Sequence, residues 1–171
     1  MRELQVLIPS SLTRRVFSAW SIDIPTAMEE TFVGEDSYWH AWDQDRSVSL
    51  TSVVMTDQGE PVPAVAIAKH FPVLDGEPVA ELPPGLLGRA AIIDTDPSAK
   101  ASKALTGLLA VYGRAMVVTI TSDDLAWARQ TWRSIRTHIA PIEAPPAPPR
   151  DPRPLPPPPP PIRDERGARM H

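Results

Sequence analysis

The chain has 171 residues, of which 22 are proline and none is cysteine, and its formal net charge at pH 7 is −4. The lack of cysteine excludes disulfides, thiol catalysis and cysteine-type zinc sites. Residues 145–171 carry five Arg and three acidic residues, so this part is +2 and residues 1–144 are −6. Because an acidic domain is poorly suited to bind nucleic acid or an anionic membrane surface, neither is expected as a partner.

Proline divides the chain into two parts. Thirteen of the 22 prolines lie from Pro141 onward. This composition predicts one folded domain over residues 1–140 and a disordered proline-rich tail over residues 141–171. The N-terminal residues have no apolar run long enough for a secretory signal or a membrane span, so a cytoplasmic protein is expected. Arg outnumbers Lys by 14 to 3, which favours a GC-rich bacterial coding sequence.

Most of the domain carries strand patterns, either alternation of apolar and polar residues or short runs rich in β-branched residues. These segments are residues 4–8, 17–24, 37–43, 46–56, 64–70, 88–94, 105–111 and 115–121. Gln44 and Asp45 suit the turn of one hairpin, and Gly113 suits the turn of another. Residues 26–36 are interpreted as a connector with a helical turn near residues 27–30.

A helical pattern follows the last predicted strand. Apolar residues recur there at steps of three and four, which is one face of an α-helix. They are Leu125, Ala128, Trp132, Ile135 and Ile139. Ser122 or Asp123 can cap the N-terminus, and Pro141 ends the helix. We therefore expect an α+β fold, in which a long C-terminal helix over residues 123–138 packs on an antiparallel sheet of about six strands.

Three stretches resemble the Mog1/PsbP-like fold. The first is FSAWSIDIP at residues 17–25, a strand that ends in Ile-Pro. The second is the hairpin-like GLLAVYGRAMVVTITS at residues 107–122, and the third is WARQTWRSI at residues 127–135, with Ser-Ile near the end of a helix. The resemblance covers residues 15–140 and implies an antiparallel sheet flanked by helices. Proteins of this fold are mostly non-enzymatic accessory or binding proteins, which implies a partner-binding role.

The candidate partner-binding residues of the domain are Tyr38, Trp39 and Trp42. Tyr38 and Trp42 fall on one face of a predicted strand and Trp39 on the other, so one of the two tryptophans is expected to be exposed. An exposed Trp beside Tyr38 would form a binding platform for an unknown protein partner. The alternative is that all five tryptophans of the chain are core residues.

The proline-rich tail supplies a second candidate contact. Arg153 precedes Leu155, Pro156 and Pro157, and Arg163 follows the proline run. A polyproline segment framed by Arg resembles the ligands of SH3 domains and of other proline readers. The alternative is a spacer that binds nothing.

The chain contains no nucleophile-elbow, phosphate-loop or dinucleotide-binding motif. The expected function is therefore a non-enzymatic accessory or protein-binding domain, with no cofactor and no metal. Two Asp-x-Asp pairs leave a small metal-dependent hydrolase as an alternative, which requires their carboxylates to converge near His40 in the fold, although Asp at strand ends also forms turns. These pairs are Asp43 with Asp45 and Asp94 with Asp96. A third alternative is a structural homo-oligomer, assembled through an exposed strand edge.

Overall fold

The computed structural model describes residues 11–34 and 37–139. The elements in chain order are β1 (Ser11–Val16), β2 (Trp20–Pro25), β3 (Glu29–Val33), β4 (Tyr38–Trp42), β5 (Ser47–Val54), β6 (Thr56–Asp57), β7 (Glu60–Pro61), α1 (Ala64–Lys69), β8 (Glu77–Pro78), β9 (Leu87–Asp94), β10 (Lys103–Val111), β11 (Arg114–Thr121), α2 (Leu125–Arg133) and β12 (Arg136–Thr137). The domain is therefore built mainly of β-strands, with two short helices in the part of the chain that is described.

Seven strands form the main sheet, in the order β3-β4-β5-β11-β10-β9-β8, and every neighbouring pair is antiparallel. A second sheet has the order β1-β2-β12, and β6 with β7 forms a two-stranded ribbon. The two hairpins predicted from the sequence, β4 with β5 and β10 with β11, are confirmed. The central pairing of β5 with β11 is long-range, since it joins Ser47 to Thr121.

The core lies between the main sheet, the second sheet and α2. We call the buried side of the main sheet the inner face; it carries Trp39, Leu50, Val118 and Leu105, which are all fully buried. From the second sheet, Trp20, Ile22 and Ile24 contribute to the same core. On the opposite side, the outer face, α1 contacts the three neighbouring strands β9, β10 and β11.

Trp132 of α2 lies directly against the backbone of β10. Its ring is fully buried, and its Nε1–H donates a hydrogen bond to the carbonyl oxygen of Glu81 at 2.7 Å. A Cβ atom at Gly107 would overlap this ring. Gly107 is required for space rather than for its backbone angles, because a side chain there would displace the indole.

The prediction of a long C-terminal helix, and with it the α+β class, is wrong. The helix α2 ends at Arg133, and the chain turns at Ser134 and pairs with β2 as β12. The Ser134 hydroxyl donates to the Thr131 carbonyl at 2.6 Å and accepts the backbone N–H of Asp23 at 2.9 Å. These bonds tie the end of α2 to β2, while Ile135 is buried just beyond the helix and so satisfies the apolar pattern.

The prediction of one sheet of about six strands is also wrong, because the main sheet has seven strands and a second sheet packs on it. Residues 64–70 were expected to be a strand but contain α1, where alternate alanines favour a helix after Pro63. Residues 26–36 were expected to be a connector but contain β3. The predicted first strand at residues 4–8 and the tail lie outside the described residues.

The three stretches that resemble the Mog1/PsbP-like fold correspond to β2, to the hairpin of β10 and β11, and to α2 with the residues that follow it. The resemblance to that fold stays a prediction.

The substitution Gly107→Ala should lower the free energy of unfolding by about 1–3 kcal/mol, because the added methyl group overpacks the core against Trp132. The loss should be smaller when Trp132→Leu is already present, since the smaller side chain leaves room for the methyl group. Urea denaturation of the two single variants and the double variant measures this coupling. Thr106→Ser, on the outer face of the same strand, is the control, and purely additive losses would contradict the assigned contact.

Candidate functional site

One part of the outer face is left open by the described residues. On β9 and β10, which α1 contacts, the outer-face residues Ala91, Ala104 and Ala110 are buried. The outer-face side chains of β4, β5 and β11 are instead half-buried or exposed. We call this surface the open face; it consists of Tyr38, His40, Trp42, Ser47, Ser49, Thr51, Val53, Ala115, Val117, Thr119 and Thr121.

The aromatic side chains of β4 form a stacked row on the open face. The Tyr38 and His40 rings lie 6.3 Å apart between centroids with 12° between their planes, and the His40 and Trp42 rings lie 5.2 Å apart with 18°. Alternation along the strand brings these three residues to one side, and the parallel rings pack face to face. The result is a ridge of three stacked rings on the open face.

A serine on the neighbouring strand fixes this ridge. The Ser49 hydroxyl lies opposite His40 in the strand register, 2.8 Å from His40 Nδ1, and it accepts a hydrogen bond from Tyr38 Oη at 3.3 Å. Partial burial lowers the pKa of His40 below 6.5, the nearby charge of Lys100 adds to this effect, and a backbone hydrogen bond at Val48 opposes it. His40 is therefore neutral at pH 7.

The outer-face residues of β4, β5 and β11 include no Asp, Glu, Lys or Arg, and the exposed Glu29 of β3 lies opposite Trp42 at the border of the open face. The open face is made of aromatic rings and hydroxyls, with Val53 (42% exposed) and Val117 (38% exposed) toward one end. At the other end, Lys100 donates from Nζ to the Asp43 carbonyl at 3.2 Å. Lys100 also helps to line a shallow hollow of about 400 Å³ beside Trp42. Charge is thus confined to the border of this surface.

The structure separates the two tryptophans that the sequence could not distinguish. Trp39 lies on the inner face, fully buried, and its Nε1–H donates to Glu30 Oε2 at 3.1 Å. Trp42 lies on the open face and is half-buried. The structure therefore places Tyr38 and Trp42 together, with His40 between them, and places Trp39 apart from them. Arg153, Leu155, Pro156, Pro157 and Arg163 lie outside the described residues.

A second concave region lies between β2 and α2, with a volume of about 450 Å³. Its lining includes Asp23, Gln130 and Thr131. The guanidinium of Arg46 lies 4.8 Å from the centre of the Trp127 ring, in cation–π contact. The same guanidinium donates to Asp43 Oδ2 from Nε at 3.0 Å and from Nη2 at 2.6 Å. Since Arg46 is engaged on both sides, it braces the β4–β5 turn against α2.

The Asp-x-Asp pairs are occupied by local bonds. Asp43 Oδ1 accepts the backbone N–H groups of Asp45 and Arg46, which is the turn-forming role of Asp. Burial raises the pKa of Asp43, but the hydrogen bonds from Arg46 and Asp45 outweigh it, so the pKa is below its usual value. Asp94 pairs with Lys103.

Asp96, in the second Asp-x-Asp pair, also makes local hydrogen bonds. Asp96 accepts both the backbone N–H and the hydroxyl of Ser98, which lowers its pKa. Within residues 11–34 and 37–139, no three His, Asp or Glu side chains form a group suited to hold a metal ion. Asp43, Asp94 and Asp96 are therefore used in turns and ion pairs.

Sequence reasoning missed most of the open face. The hydroxyls at Ser47, Ser49 and Thr51 alternate with buried residues of β5, and this alternation was the available signal. Their partners on β11 were not predictable, because β5 and β11 are far apart in the sequence. The residues around Arg46 and Trp127 were missed for the same reason.

Neither the scan against protein-family models nor the search of curated proteins finds a match to this chain. Among the described residues, neither helix has the length and apolar character needed to cross a membrane.

Because the folded protein lowers the pKa of His40, the unfolded chain binds the proton more tightly. Neutral His40 should therefore contribute to the free energy of unfolding above pH 6.5. This contribution should be lost as the pH falls through the lowered pKa of His40. Urea denaturation between pH 8 and pH 5 should show a steeper loss for the natural protein than for His40→Gln. Parallel profiles for the two proteins would contradict the assignment to His40.

Asp43→Asn should lower the free energy of unfolding by about 1 kcal/mol, because it removes the charge-assisted bonds to Arg46. Asp45→Asn is the matched control, two residues away in the same turn, and should have a smaller effect. Thermal denaturation with and without millimolar Mg²⁺ or Ca²⁺ should give the same melting temperature for the natural protein. A rise that Asp43→Asn abolishes would revive the metal-site hypothesis.

Proposed function

We propose that this domain is a non-enzymatic accessory protein that binds another protein through the open face. The observation that carries the proposal is the composition of this surface: aromatic rings and hydroxyls without a charged side chain, on a domain whose residues 1–144 have a net charge of −6. The central parts of protein interfaces are likewise depleted of charged residues and enriched in Tyr and Trp.

The geometry of the ridge supports a preformed contact surface. Ser49 holds His40 and Tyr38 in place, and the stacked rings restrict one another, so these side chains lose little freedom on binding. Trp42, at the border of the hollow beside Lys100, is the residue we expect to contribute most. A neutral His40 allows this surface to be buried without trapping a charge.

The resemblance to the Mog1/PsbP-like fold, whose members are mostly accessory or binding proteins, is consistent with this role. A cytoplasmic location in a bacterium and docking of the Arg-framed tail segment to a proline reader are part of the same proposal. The metal-dependent hydrolase has less support, since Asp43, Asp94 and Asp96 are engaged in local bonds. Self-assembly requires a free strand edge, and within the described residues β3 has one side without a strand neighbour.

The test is capture from the source cell with the natural full chain and three variants of it. A partner retained by the natural protein should be lost with Thr51→Arg and weakened at least tenfold in affinity with Trp42→Ala, measured by calorimetry once the partner is purified. Val73→Arg, at a site that is 85% exposed and away from the open face, should retain it. A protein captured equally by all three variants, or by none of them, would refute binding through the open face.

A further inference from the structure

Two hollows along α2 form one continuous groove. The concave region between β2 and α2, of about 450 Å³, adjoins a hollow of about 530 Å³ toward the end of the helix. Both hollows are lined by Asp23, Gln130 and Ser134, so they share a border. We call this space the α2 groove; α2 forms one wall, and the side of β2 that points away from the core forms the other.

The helical residues that line the groove lie on one side of α2. Trp127, Gln130 and Ser134 are spaced by three and four residues, which is one face of a helix. Arg133 lines the same wall, three residues after Gln130. From Trp127 to Arg133 the helix rises about 9 Å, a distance that an extended chain covers with about three residues. The groove is therefore long enough for a short peptide segment to contact both of its ends at once.

One end of the groove is basic. Arg133 and Arg136 line it, and both side chains are exposed. Arg133 Nε donates to the Arg129 carbonyl at 3.3 Å, and Arg136 Nη1 donates to the Ile135 carbonyl at 2.9 Å. Cations are favoured at the C-terminus of a helix, and these bonds hold both guanidinium groups beside the groove. Since a guanidinium has five N–H donors, each arginine has more donors than these bonds use.

A third arginine adds to the positive charge at this end. Arg15 of β1 and Arg136 of β12 both lie opposite Ser21 of β2, so the three side chains form a row on one side of the second sheet. Because neighbouring strands are about 4.8 Å apart, the Cα atoms of the two arginines are about 10 Å apart. Their long side chains can therefore approach one carboxylate from both sides. This basic row stands out on a domain whose residues 1–144 have a net charge of −6.

The middle and the other end of the groove have a different chemistry. Asp23 Oδ1 accepts the hydroxyl of Thr13 at 2.5 Å, which fixes this carboxylate on β2. Asp23 accepts hydrogen bonds and the Gln130 amide both donates and accepts them, which matches the N–H and C=O groups of a peptide backbone. Trp127 and Pro25 line the far end, where they offer apolar surface. An anionic group is thus favoured at the arginine end and disfavoured beside Asp23.

We propose that the α2 groove binds an extended acidic segment of a partner protein. An Asp or Glu side chain of the segment pairs with Arg133 and Arg136, and an apolar side chain packs beside Trp127. Guanidinium and carboxylate form charge-assisted pairs with two parallel hydrogen bonds, which gives both strength and orientation. A free small anion would fill only the arginine end. The groove shares no residue with the open face, so this proposal does not rest on the proposed function.

Random hexapeptides displayed on phage and selected on the full natural chain give the test. The selected peptides should be enriched in Asp or Glu at one position. Calorimetry with a synthetic copy of such a peptide should show at least tenfold weaker binding to the double variant Arg133→Gln with Arg136→Gln. Arg89→Gln, an exposed arginine of β9, is the matched control and should bind as the natural chain does. Thr51→Arg, on the open face, should also leave the affinity unchanged.

Several results would overturn the proposal. One is a selection that yields no peptide above background, or peptides without an acidic position. Another is equal affinity of an acidic peptide for the natural chain and the double variant. Peptides that lose affinity with Thr51→Arg but not with the double variant would bind the open face, which would support the proposed function and refute the groove. Free glutamate that binds as tightly as the selected peptide would assign the groove to a small molecule instead.

Discussion

The contact of Trp132 with the backbone at Gly107 is the constraint on which the rest of the domain depends. The indole fills the space over the middle of β10, and its only hydrogen-bond donor, Nε1–H, is satisfied by the Glu81 carbonyl. This single side chain therefore fixes three things together: the height of α2 above the main sheet, the position of the loop before β9, and the identity of the residue at position 107. A buried indole without that carbonyl would leave an unsatisfied polar group in the core.

Because α2 packs on the inner face, only α1 covers the outer face within the described residues, and it covers only part of it. The helix and the second sheet cover one side, and α1 covers β9 and β10 on the other. The strand register then brings His40, Ser49 and Thr119 into one row across three strands. The open face is thus a consequence of antiparallel pairing and of a short α1 that does not extend over β4 and β5.

Hairpins could be predicted from the sequence, because both of their strands and the turn lie within one short stretch of the chain. The turns at Gln44 and Gly113 identified two hairpins, because their strands are adjacent in the sequence. The long helix was mispredicted because Ile135 keeps the apolar spacing of a helix, while the bonds made by Ser134 to β2 depend on a residue more than a hundred positions away. For the site, alternation placed Tyr38 and Trp42 together, but the strands that border them are set by tertiary pairing, which no short-range pattern encodes.

The pairing of β12 with β2 has a consequence for how the protein is made. Thr137 lies opposite Trp20, so the second sheet joins the two ends of the described chain. During synthesis, β2 must wait for almost the whole domain before its last neighbour exists, and until then Trp20 and Ile22 lack their final cover. Contacts this distant in sequence slow folding and prolong the exposure of apolar surface. A nascent chain that stalls before residue 136 would hold a nearly complete main sheet and an unfinished second one, and would be a natural substrate for chaperones.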